Sequence, residues 1–148
     1  MKLAHTLAKD ESLILPKHRE IETQVLELFT QHLNLDWQLK WSTEKNALGR
    51  CFYGERIITL SQYWMLFISD QEITDVILHE IAHGMTWEQY LKDKKEVPYN
   101  LHKKLSKMYL GHGGPWEYFA KKIGATGTEC YEGNIRLPSV KNKLQSKS

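Results

Sequence analysis

The sequence predicts an α+β domain, and three observations carry that reading. One amphipathic helical stretch comes first, three short strand-like runs follow, and helical periodicity then returns for most of the remaining chain. With 148 residues, 41% of them hydrophobic and 26% charged, the chain suits a single domain of ordinary size. Such a domain needs neither a disulfide nor a metal to hold its core.

The first helix is expected over about residues 20–35, where Ile21, Val25, Leu28, Phe29 and Leu33 recur at helical spacing. Pro16 lies upstream of it, in a loose N-terminal arm. Trp37, Leu39 and Trp41 then alternate with Gln38, Lys40 and Ser42, the period of a half-buried strand. A polar turn, Thr43 to Gly49, leads to two more strands, Arg50–Tyr53 and Arg56–Leu60, with Gly54-Glu55 spaced as a tight hairpin. Three such runs predict a small, largely antiparallel sheet.

Ser61 can cap a short helix reaching Phe67. Ser69 followed by Glu72 has the form of a capping box, opening a long helix to about Leu91 with Ile73, Val76, Ile77 and Ile81 along its buried stripe. Lys92 to Pro98 reads as an exposed loop. Asn100 is expected to cap a helix burying Leu101, Leu105, Met108 and Tyr109. Gly111-His112-Gly113-Gly114 breaks that helix, and Pro115 suits the first turn of the next. Trp116, Phe119, Ala120 and Ile123 form its apolar face and Gly124 closes it. The resulting division is an arm over 1–19, a domain over 20–137 and a basic, disordered tail over 138–148.

Composition narrows the function classes. The two cysteines, Cys51 and Cys130, cannot build a disulfide framework or a four-cysteine zinc site. The longest apolar run, Tyr63 to Ile68, is far shorter than the roughly 20 residues of a membrane span. The first ten residues lack the continuous apolar core of a secretory signal. The expectation is a soluble, intracellular monomer without membrane contact: cytoplasmic, or in the nucleoid or nucleus if it works on DNA. Residues 1–74 carry 8 Lys+Arg against 10 Asp+Glu, net −2, and residues 75–148 carry 12 against 8, net +4. Lys92, Lys94, Lys95, Lys103, Lys104 and Lys107 supply much of that excess, and suit either a solvated face or a phosphate contact. Trp37, Trp41 and Trp116 sit in core-like patterns rather than as stacking platforms.

The chemistry concentrates in His79-Glu80-Ile81-Ala82-His83. Histidines at i and i+4 share one helix face about 6 Å apart along the axis, so both imidazoles can reach one zinc ion. Glu80 lies about 100° round from His79, able to face a water on that ion without being a ligand. Zinc acidifies such a water toward neutrality, and a carboxylate beside it can take the proton as the water attacks a carbonyl. With 7 His in 148 residues, the pattern is expected by chance only about 0.03 times. It also falls in the most apolar helix of the chain, where buried histidines need partners.

A catalytic zinc usually takes three protein ligands. Downstream candidates are His102, His112, Glu117, Glu129 and Glu132. His112 is best placed, flanked by glycines that let the backbone approach another element, just ahead of a helix anchored by Pro115 and Trp116. His102 lies on a lysine-rich face. His5, His18 and His32 have no ligand partner near them in sequence.

In this order of elements, with Gly49-Arg50-Cys51, Ile57 to Ser61, Leu78 to His83 and Gly111-His112-Gly113, the chain resembles the SprT-like zinc metalloprotease family over about residues 20–125. Spartan-type DNA–protein crosslink proteases belong to that family. The resemblance implies a zincin-like, minimal gluzincin-type domain: a first helix on a three-stranded sheet, an HExxH active-site helix and a C-terminal helical lobe. It implies Zn²⁺ held by His79, His83 and His112, with Glu80 as general base. It further implies hydrolysis of peptide bonds in protein substrates, with a DNA association. Two departures are an extra Gly114 before Pro115 and Trp116 directly after it. Without the cysteines of a zinc ribbon, the chain would be a minimal catalytic module. Two other readings stay open: a DNA-associated binding protein whose zinc is structural, and a metallopeptidase without any nucleic-acid role. A closed four-ligand site would mark the first, and a salt titration showing no DNA binding even at low salt the second.

Overall fold

The computed structural model describes residues 14–125. Expectations for His5, Glu129, Cys130, Glu132 and the tail over 138–148 lie outside the described residues.

Helix α1 spans Pro16–His32, starting earlier than the periodicity alone suggests. Proline fits its first turn, and His18 supplies the missing cap. Its Nδ1 accepts from the Leu15 backbone N–H at 2.9 Å, and its Nε2 donates to the Gln62 carbonyl at the same distance. This buried histidine is therefore structural, holding the start of α1 to the segment after the sheet. At the other end Leu33 turns extended, and Asn34 Oδ1 accepts from Asp36 N–H instead of the helix continuing.

Strands β1 (Gln38–Ser42), β2 (Gly49–Phe52) and β3 (Ile57–Ser61) form a mixed sheet in the order β1-β3-β2. The sheet is not largely antiparallel as expected: β1 pairs parallel with β3, and only β2 with β3 is antiparallel. The cause is the segment between β1 and β2, which carries the chain to the far edge and leaves the middle place to β3. Glu44 fixes that segment, receiving Arg50 Nε at 2.8 Å while its carbonyl accepts from Ser61 Oγ at 2.7 Å. The connection from β2 to β3 takes residues 53–56 rather than two residues. Arg56 N–H bonds the Tyr53 carbonyl at 3.1 Å, and Arg56 adopts a φ of 55°, an uncommon value for a side-chain-bearing residue.

Ser61 Oγ accepts from Trp64 N–H, opening a single 3₁₀ turn at Trp64–Leu66 in place of the short helix expected there. Helix α2 spans Asp70–Asp93 and opens on the expected capping box. Ser69 Oγ accepts from Glu72 N–H at 3.1 Å, and the Glu72 carboxylate accepts from Ser69 N–H at 2.8 Å. Where a loop was expected, α2 runs on to Asp93 and is followed by a 3₁₀ turn at Lys94–Glu96.

Helix α3 (His102–Tyr109) follows another 3₁₀ turn, Tyr99–Leu101, so Asn100 does not cap it. None of its residues is buried, and Leu101 and Met108, expected in the core, are 44% and 56% exposed. Tyr109 attaches it to α2, donating its hydroxyl to Asp93 at 2.6 Å. Helix α4 (Gly114–Ile123) carries Pro115 in its first turn and ends at Gly124, whose φ of 93° lets Ala125 N–H return to the Ala120 carbonyl at 2.8 Å.

The main core gathers Ile21, Val25 and Phe29 of α1, Leu39, Trp41, Ile58 and Leu60 of the sheet, and Ile73, Val76, Ile77 and Ile81 of α2. A second cluster joins Leu78 and Ala82 on another face of α2 to Trp116 and Ala120 of α4. Helix α2 is thus covered by the sheet and α1 on one side and by α4 on the other. Among the described residues, no helix is long and apolar enough to cross a membrane.

Candidate metal centre

Because α2 is covered on both sides, the histidines of its middle turns are almost entirely removed from water. His79 and His83 are 1% and 3% exposed. Their rings stand one turn apart with centroids 5.0 Å from each other, as the i, i+4 spacing requires. The third imidazole arrives from the glycine connector between α3 and α4. His112 Nε2 lies 2.9 Å from His83 Nε2 and 3.2 Å from His79 Nε2.

Trp116 places that connector. Its indole, buried against α2, lies 4.9, 5.5 and 4.8 Å from the rings of His79, His83 and His112. Its Nε1 donates to the His79 carbonyl at 3.3 Å. Anchoring the first turn of α4 on the histidine-bearing turn of α2 fixes His112, four residues before the tryptophan. The extra Gly114 is taken up as the first residue of α4.

The donor set fits a metal ion. One ligand atom from each of His79, His83 and His112 lies within 4.8 Å of the others. Two zinc–nitrogen bonds of about 2.1 Å at a tetrahedral angle put their nitrogens about 3.4 Å apart, close to the spacing found here. These three histidines can hold a metal ion. Among the described residues no further His, Cys, Asp or Glu joins the group.

Glu80 is completely buried on the turn between the two helical histidines. Its Cγ lies beside Gly49 of β2, and the close approach that requires a glycine there is to the neighbouring strand β3. A Cβ built on Gly49 would stand 3.4 Å from Glu80 Cγ and only 2.9 Å from the Thr59 carbonyl oxygen. A glycine is needed there for close approach rather than for conformation.

Other candidates stand elsewhere. His102 Nε2 bonds the Val97 carbonyl at 2.8 Å, and Glu117 is an exposed residue of α4 facing Lys121 at 4.0 Å. Tyr53 was not anticipated: its hydroxyl lies 3.2 Å from His83 Nδ1. Nothing local in the sequence marks it, since a turn residue and a helix residue 30 positions apart meet only through the sheet.

A family model, described as the SprT-like family, matches residues 18–136. No curated protein and no solved structure matches the chain.

Proposed function

Since the chain belongs to the SprT-like family, we propose that it is a zinc-dependent metallopeptidase acting on protein substrates. The observation that carries this is the meeting of three imidazoles through Nε2 with Glu80 on the same helical turn. Zinc, when bound, would polarise the scissile carbonyl and acidify the attacking water. His79, His83 and His112 would hold the ion, and the three donors found among the described residues would leave a position for substrate or water, the pattern of catalytic rather than structural sites. Glu80 takes the proton from the attacking water and delivers it to the leaving amine. Strand β2, beside Glu80, is an edge of the sheet, so an extended substrate backbone can pair along it.

A DNA association is the finer part of the proposal. Its support is the exposed lysine set of α3, Lys103, Lys104 and Lys107, which suits phosphate contact without base reading.

The test is cleavage of a labelled, unfolded protein by the full chain. Activity should disappear on chelation and return with one equivalent of zinc. Cleavage that survives complete metal removal would overturn the reading.

A further inference from the structure

We propose that Tyr53 is a positioning residue of the metal centre, holding the His83 ring by Nδ1 so that Nε2 faces His79 and His112. This rests on the three histidines being ligands and not on peptidase activity.

The chemistry begins with the ring. An imidazole that offers the Nε2 lone pair to a metal carries its proton on Nδ1. That Nδ1–H needs an acceptor fixed in place, because the acceptor selects the tautomer and sets the ring's rotation. Tyr53 Oη is 3.2 Å from His83 Nδ1, with the two rings 74° apart in an edge arrangement. Metal binding therefore sets the direction of this hydrogen bond: Nδ1–H donates and the phenol oxygen accepts. The opposite direction, with the hydroxyl donating, leaves the proton on Nε2 and cannot support a ligand.

The tyrosine is itself held from several sides. Its ring stacks on Trp87, one turn beyond His83 on α2, at 5.5 Å and 23°. Its carbonyl accepts from Arg56 N–H within the β2–β3 turn. Arg56 then clasps Glu88 of α2, Nε to Oε2 at 2.6 Å and Nη2 to Oε1 at 3.3 Å. Glu88 also receives Trp37 Nε1 at 2.8 Å. Backbone, ring and turn are each tied to the helix that bears His83, so the hydroxyl is placed before any metal arrives.

The test compares the full chain with its Tyr53→Phe variant, using zinc alone as the probe. Phenylalanine keeps the stack on Trp87 and removes only the acceptor. The metal-free protein loses this one hydrogen bond, so its thermal midpoint should fall by no more than a few degrees. Zinc affinity, measured by competition with a chelating indicator, should fall 10- to 100-fold, the usual cost of losing an outer partner of a histidine ligand. In the zinc-loaded wild type, the His83 Nδ1–H should give a slowly exchanging proton resonance, shifted and fast-exchanging in Tyr53→Phe. A loss of affinity under threefold, or a resonance that does not move, overturns the proposal. So does a loss of affinity accompanied by an equal loss of metal-free stability. A wild-type chain that binds no zinc at all would instead remove the ligand assignment beneath it.

Discussion

His83 Nε2 and His112 Nε2 lie 2.9 Å apart although 29 positions separate them in the chain. The first is set by a helix turn and the second by a glycine connector, and Trp116 between the two elements makes them meet.

That meeting predicts the effect of removing either kind of histidine. His112→Ala should weaken zinc binding by more than about 100-fold, beyond the cost of losing an outer-sphere partner. His102→Ala should leave it unchanged, because that imidazole bonds the Val97 carbonyl. Zinc content after dialysis checks both. Full zinc retention in His112→Ala would show that the third ligand is misassigned.

The Arg56–Glu88 pair predicts an acid-sensitive component of stability. Burial alone would raise the Glu88 carboxyl, but hydrogen bonds from Arg56 and Trp37 together with the Arg56 charge bring it below its ordinary value of 4.5. A lowered folded-state pKa contributes stability that is fully present above the ordinary value and is lost as pH falls through the folded one. Glu88→Gln should cost about 1–2 kcal/mol at neutral pH, the worth of charge-assisted hydrogen bonds in a half-buried place. Urea unfolding at pH 7 and again below pH 4 should show the difference between variant and wild type shrinking in acid. An undiminished difference would exclude this pair as its source.

The α3 lysines predict a salt-dependent DNA association. Replacing Lys103, Lys104 and Lys107 with Glu should weaken binding and lower the slope of log affinity against log salt by about 0.9 for each phosphate no longer neutralised. Zinc content should not change. Fluorescence anisotropy with duplexes of unrelated sequence measures the affinity and its salt slope. No binding by the wild type at low salt would leave a metallopeptidase without a nucleic-acid role.

What the sequence made legible is what local spacing determines. The Ser69–Glu72 capping box and the His79–His83 pair are each contained within one helical turn, so composition and period suffice to find them. His112 was legible through its glycines and the proline-started helix after it. The pairing of β1 with β3 was not, because strand order depends on where the 43–48 segment crosses, and that is decided by Glu44, Arg50 and Ser61 together. The early start of α1 depended on a histidine acting as a cap, a role Ser, Thr, Asp and Asn usually fill. The apolar stripe of α3 showed that a face was apolar, without showing that anything covers it. Tyr53 could be found only in three dimensions, since its partner belongs to another element.

The most direct test of the account is the Glu80→Gln variant of the full chain, assayed for zinc content and for cleavage of a labelled unfolded protein. Glutamine keeps the size of the buried side chain and removes its ability to take a proton. Zinc should remain at one equivalent while cleavage falls by about 10²-fold or more. Cleavage at the wild-type rate, with zinc still bound, would contradict the assignment of Glu80 as the base and with it the proposed hydrolysis.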